Sequence, residues 1–486
     1  MQLGVFFGRS TDKVGLRSYF FPKNKGKLAV KEEFDTPQLY GPTGDADLHP
    51  IHFRVVSQNW ANNVGVTDDV TVFESTITMC PRQSVVGLGF AYRQNLTKLM
   101  KDDGEERDYH VWFEIATPLT RVKNNLCLAE KFETTMDEAG GVVDPNEVDG
   151  LDSDYLFFDN MKDAFAQKAW CYGKICGCRK RTRLADIELK LGTEWMRQDS
   201  CRLEGYVGIL APTGNKVCAE YMFEPMVGHN NHFGLMTGLN GCFKVWENEQ
   251  EGKTLRIALD SHGLYLFKKC EKRSFDLKCR PWSRYMEVYA NKDDAEKAYN
   301  FSTDGQDLAA LLYATPGINI FTRDLCVRPR VSATSNWALI FHNMDRAFSA
   351  ELGLNFYMRQ RECVELECVW KEEAALKGYF GAGSTSIFRT IDYDASLQPD
   401  LNSATDRTID RDITEYEESV IKLEDLDLES AAHPGIVSYT AYLMLGKQWD
   451  DREYPLFLTG GFSYEYGSDN TAMSRWLVTL KGGISF

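Results

Sequence analysis

The last twelve residues, RWLVTLKGGISF from Arg475 to Phe486, constrain this chain more than any other stretch. Counting back from Phe486, the residues Ile484, Gly482, Leu480, Val478 and Trp476 share one parity, while Ser485, Gly483, Lys481, Thr479 and Arg475 share the other. A β-strand points successive side chains to opposite faces, so one face of this segment is apolar or glycine throughout and the other is polar or small. Such a strand needs two different surroundings.

The same period recurs along the chain. Val86, Leu88, Phe90 and Tyr92 oppose Gly87, Gly89, Ala91 and Arg93; Val111, Phe113, Ile115, Thr117 and Leu119 oppose His110, Trp112, Glu114 and Ala116. Four more strands are predicted between 185 and 267, with Asp186, Glu188, Lys190, Arg256 and Asp260 on their polar faces. The cleanest alternation sets Phe348, Ala350, Leu352, Leu354, Phe356 and Met358 against Ser349, Glu351, Gly353, Asn355, Tyr357 and Arg359. The longest clean apolar run is Val85 to Tyr92, too short for a helical membrane span. Half-apolar strands satisfy a bilayer only when they close into a barrel, with apolar faces toward lipid and polar faces toward a lumen. The 22 Tyr, 28 Phe and 10 Trp suit two interfacial girdles, and the net charge of −16 argues against nucleic acid or anionic-lipid surfaces as electrostatic partners.

The expectation is an all-β chain folded as a single transmembrane antiparallel β-barrel of about 12–14 strands, an even number if both ends lie on the periplasmic side. Residues 1–67 are read as an N-terminal segment, partly loop, periplasmic or lumenal, and 68–486 as the barrel. Three long insertions containing short helices interrupt it at 122–182, 270–325 and 362–433. The first could fold into the lumen and narrow it. MQLGVFFGRSTDK has none of the three parts of a secretion signal, so the sequence is expected to begin at or after the mature start.

Several segments together resemble a known group: PRQSVVGLGFAYRQ, WFEIATPLTRVKNNLCL, RLADIELKLG, FEPMVGHNNHFGL, KRSFDLKCRPWSRYMEVYA, LGLNFYMRQRE and the final LKGGISF. They are similar to uncharacterised outer-membrane barrel proteins of host-dependent Gram-negative bacteria, the Dependentiae type. The resemblance implies a barrel in the outer membrane and brings no catalytic residues.

Candidate pore-lining charges are Arg93, Glu114, Asp186, Glu188, Lys190, Arg256, Asp260, Arg330, Glu351, Arg359, Glu465 and Lys481. Rings of such groups tune selectivity in aqueous pores, unless they neutralise one another in a plugged barrel. Cys171, Cys176 and Cys178, among 13 cysteines, are candidates for a loop disulfide, with free or packed cysteines as the next alternative and zinc as the least. The basic run Arg179 to Arg183 is expected to face water or lipid phosphates. Asp144 to Asp154 is a minor calcium candidate, and His229 and His232 are read as a turn and a lumen-facing residue. No nucleophile elbow, helical His pair or phosphate loop is present, so neither enzymatic activity nor a cofactor is expected. Trp476, Val478, Leu480, Ile484 and Phe486 form the barrel-closing signal. The predicted function is a porin-like channel for passive passage of small solutes. The alternative is a structural envelope protein with an occluded barrel in a homo-oligomer or lattice. Expected partners are the bilayer and outer-membrane lipids, small solutes and further copies of the chain.

Overall fold

A computed structural model describes residues 1–12, 16–17, 20, 27–33, 36–40, 54–55, 74–99, 110–132, 157–158, 160–278, 282–295, 297, 313–375, 420–449, 453–468 and 473–485. Twelve antiparallel strands close into a ring. In chain order they are β1 (Gln2–Ser10), β2 (Arg82–Asn95), β3 (His110–Asn125), β4 (Ile187–Arg197), β5 (Cys201–Ala211), β6 (Gly234–Asn248), β7 (Lys253–Leu266), β8 (Arg330–Asn343), β9 (Phe348–Arg359), β10 (Ile436–Trp449), β11 (Leu456–Gly467) and β12 (Arg475–Ile484). Each pairs with its neighbours in sequence, and β1 closes the ring against β12 from Gln2↔Gly483 to Ser10↔Arg475. A further short strand, Cys178–Leu184, prolongs the ladder beyond β4 by pairing with the end of β3.

The first strand moves a predicted boundary. The barrel begins at Gln2, not near 68: Leu3, Val5 and Phe7 are exposed while Gly4 and Phe6 face inward. The adjacent Phe6 and Phe7 blur the alternation in a short segment. Phe486, the Asp144–Asp154 stretch and the acidic region 406–418 lie outside the described residues, as does Cys279.

The wall is apolar outside. Leu352 is 60% and Leu354 65% exposed, while Glu351 and Arg359 of the same strand are only partly exposed and face the other way. Val478 and Leu480 of the closing strand are likewise exposed, and Trp476 packs edge-on against Phe7 with ring centroids 5.2 Å apart. Exposed aromatics gather toward both ends of the strands, with Trp195 and Trp246 at one end and Tyr265, Tyr439 and Tyr466 at the other. In water such a surface would be unstable, but against hydrocarbon it is the solvated face.

Connections divide by length. The turns 198–200, 249–252, 344–347 and 450–455 are short and share the end where both termini lie, together with 96–109. The opposite end carries 11–81, 126–186, 212–233, 267–329 and 360–435, with only 468–474 short. The predicted insertions coincide closely with three of these; the connections 11–81 and 212–233 were not foreseen as such.

These long connections pack on one another into a cap with ordinary protein cores. Phe165, Trp170 and Ile175 are fully buried with Ile77, Met79 and Ile318, joining three connections. The short helix Met161–Ala164 belongs here, capped by the Asn160 side chain, within the segment predicted to hold one. A second core stacks Phe321 on Trp370 at 6.5 Å with Phe275, Leu325 and Val327 around them.

Candidate functional site in the lumen and its mouth

The lumen is built from the inward parity of the wall. Trp112, Gly192, Tyr206 and Gly238 are successive cross-strand partners on β3 to β6. A Cβ on Gly192 would lie 2.2 Å from the Trp112 ring, and one on Gly353 2.2 Å from the ring of its partner Tyr442. Glycine at these positions lets each aromatic lie flat along the wall instead of projecting across the lumen.

One sector holds two groups of paired charges. The Arg93 guanidinium lies 3.7 Å from the Trp112 ring centroid and donates to both Glu204 oxygens, at 3.1 and 2.5 Å. Arg93 is on β2 and Glu204 on β5, so the two meet only across the concave face. Asn240 Nδ2 donates to Glu204 at 2.9 Å, and Arg202 pairs with Glu204 at 3.4 Å and with Glu194 at 2.7 Å. Lys190 bridges Glu188 at 2.8 Å and Glu114 at 3.3 Å. Arginine forks match carboxylates in two places at once, which suits a partly desolvated wall.

The facing sector is more open. Asn336 donates to the Tyr442 hydroxyl at 3.0 Å, which donates to Glu351 at 2.7 Å. Glu465 accepts from Ser438 at 2.8 Å and Arg475 at 2.5 Å. The Lys481 ammonium lies 6.0 Å from the Phe457 ring centroid, and Arg359 donates to the Pro434 carbonyl at 3.4 Å. The Arg256 Nε is buried without a hydrogen-bond partner. Asp260 and Glu188, although inside the ring, keep 57% and 38% of their side chains exposed, so water reaches the interior.

Two predicted charges have other surroundings. Arg330 opens β8 at the mouth, exposed and with a left-handed φ of 65°. Asp186 is buried and accepts from the backbone N–H groups of Thr213, Gly214 and His229 and bonds the His229 ring at 2.8 Å. Burial alone would raise its carboxyl, but the His229 ring and the backbone donors outweigh burial and hold it below the usual carboxylate range. Asp186 thereby fastens the connection 212–233 to the inside of the wall. Val227 of that connection packs on the inward-facing Val85 and Val122, and Asn124 donates to the Glu224 carbonyl at 3.1 Å. Among the described residues the segment folding into the mouth is 212–233; of the stretch 122–182, residues 133–156 and 159 lie outside the described residues.

Above the mouth, three connections share a buried network that sequence reasoning missed. His232 Nδ1 lies 2.7 Å from the Phe267 carbonyl and its Nε2 bonds Glu271. Arg273 pairs with Glu271 at 2.7 Å and Glu362 at 3.5 Å, and Glu362 also takes the His433 ring at 3.1 Å. Burial pushes the Glu362 carboxyl up, yet His433 and Arg273 outweigh it and bring it down to about 2. Glu271 is lowered in the same balance, by His232 and Arg273 against burial. The signal existed only as five residues scattered over 232–433, with no spacing to join them.

The disulfide expectation is corrected. Cys171, Cys176 and Cys178 are all free, as is every other described cysteine. Cys178 is drawn into the strand opposite Asn125, whereas Cys176 sits 3.1 Å from the Arg179 guanidinium. Among the described residues no cluster of three or more His, Cys, Asp or Glu is arranged to hold a metal.

No protein-family model matches the chain, and no characterised protein matches its sequence. Among solved structures it is similar to the transport unit of the autotransporter AIDA-I from Escherichia coli, at 7% identity and a TM-score of 0.30 over 100% of this chain and 90% of that one. OmpT, an outer membrane protein of Vibrio cholerae, gives 7% identity and 0.24 over 99% and 96%. A Pseudomonas aeruginosa FadL homologue gives 10% and 0.25 over 99% and 89%. At these scores the likeness carries no argument, and none bears on a Dependentiae-type kinship. The architecture itself, an inside-out closed antiparallel wall with its long connections at one end, is that of an outer-membrane β-barrel.

Proposed function

We propose that the protein is a porin-like channel of a bacterial outer membrane that passes small solutes passively, with its mouth narrowed by 212–233 and the cap. The observation that carries this reading is the hydrated interior: Asp260 and Glu188 are inside the ring yet open to water. Mixed signs along the lumen, with Arg93, Glu114, Glu188, Lys190, Arg256, Asp260, Glu351, Arg359, Glu465 and Lys481 as lining and Arg330 and Asp186 at the rim, favour a general pore over a strongly ion-selective one. No enzymatic or cofactor chemistry is needed. Reconstitution in planar bilayers tests the reading: discrete conductance steps are expected, and a folded preparation that inserts without conducting would end it. Folded barrel is distinguished from unfolded chain by its altered gel migration before boiling.

A second reading, a structural envelope protein with an occluded barrel, draws on the two hydrophobic cores that hold the cap together over the mouth. It calls for assembly into a homo-oligomer or lattice without disulfide links. Detergent-extracted protein running as a single copy, with conductance present, would exclude it.

A further inference from the structure

The outer face of the wall changes chemistry abruptly on one side of the capped end. Strand register aligns Val5, Leu88, Leu119 and Leu184 in one outward row across β1, β2, β3 and Cys178–Leu184, all of them exposed. The next row toward the cap holds Phe7, Val86, Arg121 and Thr182. The row after that holds Arg9, Ser84, Lys123 and Lys180, with Arg82 beyond it beside Asn125. Same-face rows are about 7 Å apart along a strand, so cations begin one step above the last wholly apolar row. That is headgroup depth for a lipid whose chains lie on the leucines.

The cluster is unfavourable by itself. Lys123 and Lys180 are direct antiparallel partners, which sets two like charges roughly 5 Å apart at their Cβ atoms. Arg9, Arg121, Lys123 and Lys180 are exposed, and these rows contain no carboxylate. The Arg82 Nε is buried without a hydrogen-bond partner. In a chain of net charge −16, five cations gathered on one face are not an effect of composition. Past β1, by contrast, the Arg9 row continues through Trp476 and Tyr464, and the next row toward the cap pairs Tyr466 with Tyr439, aromatics that suit any headgroup.

The geometry points to a docking site for an anionic phospholipid: its phosphate sits between Lys123 and Lys180 with Arg9 and Arg121 beside it, and its acyl chains cover Val5, Leu88, Leu119 and Leu184. The inference rests on the reading of the wall as membrane-spanning. The basic run is thereby divided, since Lys180 faces lipid while Arg179 turns to the other face and stacks on Tyr221 at 3.5 Å.

Native mass spectrometry of the folded barrel in non-ionic detergent tests it, with phosphatidylglycerol and phosphatidylcholine of identical chains as probes. Wild type is expected to retain one phosphatidylglycerol at about tenfold lower concentration than phosphatidylcholine, and Lys123→Gln with Lys180→Gln to erase that preference. Lys180→Gln alone, which leaves Lys123 unopposed, keeps the test available if the double variant folds poorly; it is expected to lose part of the preference. Equal retention of the two lipids by wild type, or an undiminished preference in the variants, would overturn the site. So would displacement of the lipid by millimolar inorganic phosphate, which would assign the cluster to a free anion. If the variants still migrate as folded barrels and insert into bilayers, such a failure falls on the lipid site alone and leaves the spanning wall in place.

Discussion

Wall and cap are made from the same residue types with opposite outcomes. On the wall, Leu352 and Leu354 stand exposed and the polar partners turn inward; in the cap, Phe321 and Phe165 are fully buried. The wall therefore leans on hydrocarbon for its stability and the cap on its own packing. One chain carries two solvents' rules, divided at the strand ends.

The sharpest way to break this contrast is a truncation in the cap. Phe321→Ala removes a ring stacked on Trp370 and is expected to destabilise the cap by about 3–5 kcal/mol. Limited proteolysis should then cut the cap while the folded barrel keeps its heat-modifiable migration; loss of both together would mean that the two regions form one cooperative unit. On the wall the damaging change is polar. Leu354→Arg should cost about 2–4 kcal/mol of folding into bilayers if the residue faces mid-membrane, whereas Leu354→Ala should be mild. Refolding titrations into vesicles measure both, and a tolerated arginine would place this face in water.

Acid should separate the regions next. Glu362 is lowered in the fold, from an ordinary 4.5 to about 2, so its contribution is present above about pH 4.5 and fades as pH falls toward 2. Asp186 and Glu271 shift in the same direction and act with the same sign. Cap cleavage should accelerate as pH falls from about 4.5 toward 2, by up to the order of tenfold per 1.4 kcal/mol lost. Glu362→Gln should flatten that profile, and a profile identical to wild type would remove this network from the account. The smallest effect is expected inside the wall, where Gly192→Ala must displace the Trp112 ring at about 1–3 kcal/mol and reduce single-channel conductance.

The two regions also differed in legibility. Wall strands announce themselves locally, because period two is written in consecutive residues such as Leu352, Gly353 and Leu354. β1 was passed over since Phe6 and Phe7 are adjacent and the segment is short. Cap cores were illegible for a different reason: Ile77, Trp170 and Ile318 come from separate connections and follow no period, so only long-range folding joins them. The lumen lay between these cases. Parity gave the inward side of Arg93 and shared it with Glu204, but that the two would meet from strands three apart follows from closure of the ring, which no local pattern records.

The seam between β1 and β12 has a consequence for how this molecule comes into being. Gln2 pairs with Gly483 and Ser10 with Arg475, so the first and last strands of the ring are stitched edge to edge. Bringing together segments that far apart costs roughly 5 kcal/mol of chain entropy before any ladder bond forms. Ring completion must then come late, with the first strand kept waiting, unpaired on one edge, until the last one arrives. Tying the start of β1 to the end of β12 by a short linker and opening the chain at 344–347 would supply that waiting strand with a covalent neighbour, and such a rearranged barrel should zip shut faster than the original.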